Sequence, residues 1–256
     1  MEIKTFKKLK DNRYKIIFDN EENIVLYDDI IVEYNLLVNK EIDDQKLKEI
    51  LEKNSKKEAY YLALKLISTK MRTQKEITKY LERKEFNNET IEEVIKQLYK
   101  ERYLSDERYI KAFMSDKVKL TDKGPLKIKD DLVKLGFREE VVRHYLMNYT
   151  DEIWSEKINK YIVKKRKTNE KMSATMLKHK IIHDLLEKGH YKDLVKEIIE
   201  TYEFRNSEEL LRKEYKKIRS KLEEKYEGPE LNFYLKVKLI RKGYTSEEIE
   251  RFGNEE

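Results

Sequence analysis

Residues 181–190 read IIHDLLEKGH, and three other stretches align with them without a gap: ITKYLERKEF at 77–86, IKDDLVKLGF at 128–137 and LKVKLIRKGY at 235–244. Each opens on an aliphatic residue (Ile77, Ile128, Ile181, Leu235) and has leucine four positions later (Leu81, Leu132, Leu185, Leu239), the spacing of one apolar helix face. Four positions further stand Glu85, Gly136, Gly189 and Gly243. Glycine there supplies the left-handed residue that ends a helix, and Glu85 is the exception. Six residues on, Ile91, Val142, Val195 and Ile249 open a further helix. The end signals lie 51, 53 and 54 residues apart, a period that marks an array of repeated helical units.

A third helix precedes each pair. Ala59, Leu62, Ala63, Leu66 and Ile67 follow helical spacing, as do Tyr109, Ile110 and Phe113, then Trp154, Ile158, Tyr161 and Ile162. Thr73 with Glu76 and Thr245 with Glu248 fit the capping box, and Gly124-Pro125 and Gly228-Pro229 put proline where a helix starts. The predicted fold class is therefore mainly all-α: tandem three-helix repeats at 56–104, 105–150, 151–204 and 205–256, in an elongated, curved array. A unit of this size buries too little surface to be robust alone, so stacking on neighbours has to stabilise it.

Residues 1–55 read differently. Ile3, Phe6 and Leu9 open the chain, Tyr14, Ile16 and Phe18 alternate, Asp19-Asn20-Glu21-Glu22 looks like a turn, and Ile24 to Tyr27 resume. This pattern predicts a small β-hairpin, followed by a helix over 28–39. Residues 1–50 hold nine basic and twelve acidic residues, so the positive excess of the chain lies downstream.

Composition agrees with a helical reading. Six glycines and two prolines in 256 residues leave few interruptions. Charged residues make up 42%, and no run approaches the ~18 apolar residues of a membrane span. The charges nearly cancel at a net +6, and 18 Tyr and 8 Phe can build cores, so the composition is not that of a disordered chain. With no cysteine, disulfides and thiol chemistry are excluded. The opening residues lack the apolar core of a secretory signal, so a cytoplasmic address is expected.

The stretches Ala59 to Ser68, Met71 to Ile77, Tyr103 to Phe113, Lys123 to Ile128 and Leu132 to Phe137, in this order and spacing, resemble the RecX family, regulatory proteins of the RecA recombinase. The extra units and the N-terminal module look like its longer members. Lys70, Asp131 and Glu85 depart from the usual arginine, glutamate and glycine. The resemblance implies a non-enzymatic, cytoplasmic protein that lodges in the groove of the RecA–single-stranded DNA filament. It would modulate, mostly by inhibition, ATP hydrolysis, strand exchange and filament growth, as part of homologous recombination, DNA repair and the SOS response.

The residues themselves carry little catalytic promise. No phosphate-cradling glycine loop, zinc-protease motif or nucleophile elbow is present, and no cofactor or metal is expected. His179 and His183 have metal-ligand spacing but no third ligand in pattern, and read better as helix-surface residues. Positive charge is concentrated between 157 and 180, where nine basic residues face Glu170 alone. Lys157, Lys160, Lys164, Lys165, Arg166 and Lys167 are candidates for contact with a phosphate backbone or the filament. The competing reading is a solvated face balanced by acids of the neighbouring unit. Lys123, Lys127 and Lys129 around the Gly-Pro turn, and Arg72, complete the candidate set. Tyr80, Tyr99, Tyr109, Tyr145, Tyr161 and Trp154 fall on apolar stripes and read as packing residues rather than base-stacking platforms. The expected partners are the RecA filament, single-stranded DNA and, secondarily, duplex DNA, with no membrane and a monomeric chain. A stand-alone helical-repeat DNA-binding protein and a generic protein adapter remain alternatives.

Overall fold

The computed structural model describes residues 1–169 and 171–253. Three antiparallel strands, β1 (Ile3–Lys8), β2 (Arg13–Phe18) and β3 (Asn23–Tyr27), form a sheet in the order β1-β2-β3. The sheet has one strand more than the predicted hairpin. Lysines occupy most of the solvent side of β1, so its own apolar alternation is weak and pairing with β2 settles its state. Ile16, Phe18 and Leu26 bury one face of the sheet in a core shared with Ile30, Ile31 and Ile50.

The helix predicted over 28–39 is shorter. Helix α1 (Asp28–Glu33) stops because Asn35 turns left-handed at φ 53°, and the apolar residues beyond it, Leu37 and Val38, are exposed. Helix α2 (Asp44–Thr69) then runs unbroken for 26 residues, past the expected module limit at 55. Its Asn54 accepts from the Tyr27 N–H at 3.0 Å and donates to the Val25 carbonyl at 3.1 Å, which satisfies the outer edge of β3.

Helices α3 (Gln74–Glu82) and α4 (Asn88–Lys100) close a core with α2 around Ala59, Ala63, Ile77, Leu81 and Ile91. Next come α5 (Asp106–Leu120), α6 (Pro125–Lys134) and α7 (Glu139–Leu146), then α8 (Asp151–Thr168), α9 (Ala174–Glu187) and α10 (Lys192–Glu200). Helices α11 (Glu208–Leu222), α12 (Gly228–Arg241) and α13 (Ser246–Gly253) complete thirteen helices among the described residues. The α8–α10 core is built on Ile158, Tyr161, Ile162, Ile181, Leu185 and Val195, and the α11–α13 core on Leu211, Tyr215, Leu235, Leu239 and Ile249. Apart from Leu211 and Tyr215 of α11, these are residues whose helical spacing is read from the sequence, and fully burying each isoleucine, leucine or valine side chain stabilises the fold by roughly 1.5–3 kcal/mol. Both expected capping boxes form: Thr73 and Glu76 satisfy each other's backbone N–H, and so do Thr245 and Glu248.

The chain divides into two compact units, Met1–Lys111 with Leu135–Phe137, and Ala112–Lys134 with the residues from Arg138 on. Within the second unit the end signal of one triad docks on the helix start of the triad before it. Gly189 has φ +82°, and a Cβ placed there would lie 2.4 Å from the Lys127 backbone N. The Gly124 N–H donates to the Lys188 carbonyl at 2.8 Å and the Leu126 N–H to the Gly189 carbonyl at 3.0 Å, so the joint is backbone on backbone. His190 is buried beside it with Nε2 3.1 Å from the Asp122 carbonyl oxygen. Gly243 comes close to the Ser173 and Thr175 side chains, and in the first unit Gly136 meets the Lys75 side chain, so these two contacts are backbone against side chain. Glu85 is left-handed as well, at φ 64°, but it ends the first triad and has no earlier triad to meet. A side chain is therefore tolerated there at the cost of backbone strain alone.

Candidate functional site

Helix α8 carries most of the sequence-predicted site. Acids at its start (Asp151, Glu152) and bases at its end (Lys165, Arg166, Lys167) complement the helix dipole, and Trp154, Ile158, Tyr161 and Ile162 fix its buried face. The basic residues between 157 and 167 then separate into two groups: helical direction turns Lys165 and Arg166 away from Lys160, Lys164 and Lys167, and position along α8 brings Lys157 to the end of α5.

One group serves the fold. Lys157 is half-buried, and its ammonium donates to the carbonyls of Val118 (2.7 Å), Thr121 (2.6 Å) and Lys117 (3.3 Å) at the C-terminal end of α5. A cation there answers both the unpaired carbonyls and the negative end of the helix dipole. Burial pushes its pKa down, and nearby Asp122 opposes that shift. Lys157 thus leaves the stripe that its spacing with Lys160 and Lys164 suggested. Lys165 pairs with Asp184 at 3.4 Å and lies over the Tyr161 ring, whose hydroxyl donates to the same carboxylate at 2.8 Å. Arg166 donates to the Glu203 carbonyl at 3.1 Å and stacks near Tyr202 and Phe204.

The other group faces outward. Lys160, Lys164 and Lys167 line an open groove of about 1020 Å³ between α8 and α10, together with Asn159, Val163 and Leu194. Lys160 pairs with Glu156 across an exposed helix turn, an interaction worth at most about 0.5 kcal/mol that an anionic partner can displace. Lys164 and Lys167 have no acidic partner among the described residues. Asp151, Glu152, Glu156 and Glu197 also border the groove, so its charge is divided, with the bases toward the C-terminal end of α8.

The second cluster is mostly neutralised. Lys123 pairs with Asp131 at 2.5 Å, and Lys129 with Glu139 at 2.9 Å. Hydrogen bonds from Lys129 and Arg143 hold the Glu139 carboxyl below its usual range. Lys127 is exposed on the first turns of α6, without an acidic partner among the described residues. Arg72 lies just before α3, paired with Glu76 at 3.3 Å, and its Nε is buried without a hydrogen bond. The candidate residues are therefore not one surface: Lys160, Lys164 and Lys167 come together, Lys127 is free elsewhere, and the remainder are engaged inside the fold or in ion pairs.

His190 was not singled out from the sequence, although the alignment held the clue. It occupies the position of Phe86, Phe137 and Tyr244 after the end signal, an anchor for a buried ring. Burial lowers its pKa and Nδ1 has no partner. Among the described residues no three histidine, aspartate or glutamate side chains converge as a metal site, and His179 and His183 lie apart from such a group. Tyr161 and Trp154 are buried as expected, and Tyr80, Tyr99, Tyr109 and Tyr145 are half-buried.

Comparison with known proteins extends this picture. Residues 59–98 match the family model described as RecX, first three-helix domain. A protein of Lactococcus lactis named regulatory protein RecX is 33% identical over 241 residues, covering 91% of this chain and 88% of that protein. The regulatory protein RecX of Streptococcus agalactiae is 30% identical over 244 residues, with 94% of both chains covered. Among solved structures, a regulatory protein RecX superposes with a TM-score of 0.65 at 22% identity, over 77% of this chain and 98% of that one. RecX from Lactobacillus salivarius superposes with a TM-score of 0.54 at 28% identity, over 57% of this chain and 96% of that one.

Proposed function

Because the chain belongs to the RecX family of regulatory proteins, we propose that it binds in the groove of the RecA–single-stranded DNA filament and restrains RecA. ATP hydrolysis, strand exchange and filament growth would all fall. In this reading the module 1–55 and the repeats 56–104, 105–150, 151–204 and 205–256 act as one non-enzymatic, monomeric, cytoplasmic frame. Among the described residues no helix is long and apolar enough to cross a membrane.

The observation that carries the reading is the sorting of charge on α8. The fold uses Lys157, Lys165 and Arg166 internally and leaves Lys160, Lys164 and Lys167 together on an outward face. Three cations at helical spacing attract a polyanion and release its condensed counterions on contact. The groove also carries Val163, Leu194 and carboxylates, so it suits a composite surface of protein and nucleic acid better than bare phosphate. Several weak contacts along one frame favour a polymer over its free subunit, because each contact raises the effective concentration for the next. Lys127 and Arg72 are further contact candidates on this reading.

A titration of labelled single-stranded and duplex DNA, with and without RecA, tests it. Binding should be at least tenfold tighter when RecA coats the single strand. Equal or tighter binding to naked DNA would favour a stand-alone DNA-binding protein, the main alternative, and would discard the filament reading. Enrichment of an unrelated protein, with no affinity for RecA or DNA, would point to a generic adapter.

A further inference from the structure

The N-terminal sheet has a solvent face that the proposed function leaves unused. Summed along residues 1–50 the module is slightly acidic, which hides how its charges are placed. Residues 3–18 hold six bases (Lys4, Lys7, Lys8, Lys10, Arg13, Lys15) against Asp11 alone, whereas residues 19–50 hold ten acids and three bases. Folding keeps these groups apart: the basic run forms β1, β2 and their connecting turn, and the acids fall on the next turn, α1, its following loop and the start of α2.

Strand alternation then sorts the bases. Ile16, Phe18 and Leu26 point into the core, so residues 13, 15 and 17 of β2 and 25 of β3 lie on the opposite face. Lys7 pairs directly with Lys15 across β1 and β2, and Lys15 with Val25 across β2 and β3. Two ammonium groups therefore face each other on adjacent strands, with Arg13 two residues along on the same side, and like charges directly opposite destabilise a sheet. No carboxylate of the third strand relieves them, because Val25 and Tyr27 stand opposite Lys15 and Arg13. Asp11 lies 3.8 Å from Arg13, while Lys7, Lys8, Lys10 and Lys15 have no acidic partner among the described residues.

We propose that this face, with Lys7, Lys15 and Arg13 at its centre and Lys10 at the adjoining turn, is a separate binding site for the sugar-phosphate backbone of a nucleic acid strand. The inference goes beyond the filament reading and does not depend on it. Charges recur about 4.8 Å apart across the strands and about 6.6 Å apart along β2, which gives a row of cations rather than a single-ion pocket. Three lysines and one arginine present mainly mobile point charges, which can follow phosphate oxygens without a fixed fork geometry. Tyr27, opposite Arg13, is buried and offers no stacking platform beside Lys7, Arg13, Lys15, Ile17 and Val25, so contact is to the backbone and insensitive to base sequence. Its apolar surface is limited to half-buried Ile17, partly exposed Val25 and, at the turn, Leu9, too little to insert into a lipid surface.

The test uses the full chain and its Lys7→Gln/Lys15→Gln variant, with anisotropy of a labelled mixed-sequence single strand read across salt concentrations. Removing two phosphate contacts should lower the slope of log K against log salt by about 1.4 and weaken binding at low salt by about tenfold or more. The variant should melt no lower than the parent, since the opposed cations are gone. Lys7→Gln/Lys10→Gln, confined to exposed positions, should act in the same direction and guards against a folding defect at half-buried Lys15. Unchanged slope and affinity in both variants would overturn the proposal. So would unchanged DNA binding with loss of affinity for RecA alone or for anionic phosphatidylserine vesicles, which would make the face a protein or lipid site. RecA ATPase, followed in parallel with the parent protein, reports on the filament reading separately: failure there leaves the oligonucleotide result standing, and the converse holds.

Discussion

Substituting Gly189 by alanine should cost far more stability than an alanine usually does in a turn. Two effects add. The left-handed φ of +82° costs an L-residue about 1–2 kcal/mol. The new Cβ would also stand 2.4 Å from the Lys127 backbone N and 2.8 Å from the Lys127 Cβ, neither of which is the free end of a flexible chain. Opening such an overlap costs about 1–3 kcal/mol, as overpacking does in cores. The expected loss is therefore about 2–5 kcal/mol. Two control substitutions isolate the parts. Gly228 has φ +55° with nothing within 4 Å, so Gly228→Ala should show only the backbone cost, about 1–2 kcal/mol. Gly124 has no left-handed φ, but its Cβ would lie 2.5 Å from the Gly189 carbonyl, so Gly124→Ala should show the overlap alone. Urea denaturation of the three variants, followed by circular dichroism, measures each loss. If Gly189→Ala cost no more than Gly228→Ala, the triads would not be joined by close backbone approach, and the explanation of the recurring glycine would fail.

Other consequences can be checked in the same way. Glu85→Gly should raise stability by about 0.5–1 kcal/mol, because it removes left-handed strain where no neighbour needs room, and thermal melting reads the sign. Lys157→Met keeps the aliphatic stem but strips the charged donor from three α5 carbonyls, so it should cost about 1.5–3 kcal/mol in denaturation. His190 has a folded pKa below its ordinary 6.5, so the unfolded chain binds its proton more readily. Its stabilising contribution is present above about pH 6.5 and is lost as pH falls below that value, and His190→Phe should flatten this acid limb in melts from pH 7.5 to 5. Lys160→Gln/Lys164→Gln/Lys167→Gln should weaken filament binding about tenfold or more at low salt without lowering the melting temperature, read by co-sedimentation.

How much of this was legible in the sequence depended on how local each cause is. The helix faces of Ile77/Leu81, Ile128/Leu132, Ile181/Leu185 and Leu235/Leu239 were readable because period and burial are the same property on an amphipathic helix. The caps at Thr73 and Thr245 were readable because a capping box is complete within four residues. The glycine positions were legible as helix ends, but their second role was not, since the atoms that exclude a Cβ belong to a helix more than fifty residues away in sequence. β1 was hidden because the partner strand, not its own lysine-rich pattern, sets its conformation. The fate of the lysines was the least legible. Lys157, Lys160 and Lys164 share a spacing, and at about 100° per residue Lys157 and Lys164 point within about 20° of each other, yet Lys157 stands about two turns nearer the start of α8, where it meets the end of α5. A count of charge along the chain cannot register that sorting, just as it masked the cations on the N-terminal sheet.

DNA-stimulated ATP hydrolysis by RecA, measured while this protein is added up to one copy per RecA protomer, bears most directly on the account. The rate should fall well before equivalence, and the triple glutamine variant at Lys160, Lys164 and Lys167 should need several-fold more protein for the same effect. A rate that stays constant throughout the titration would contradict it.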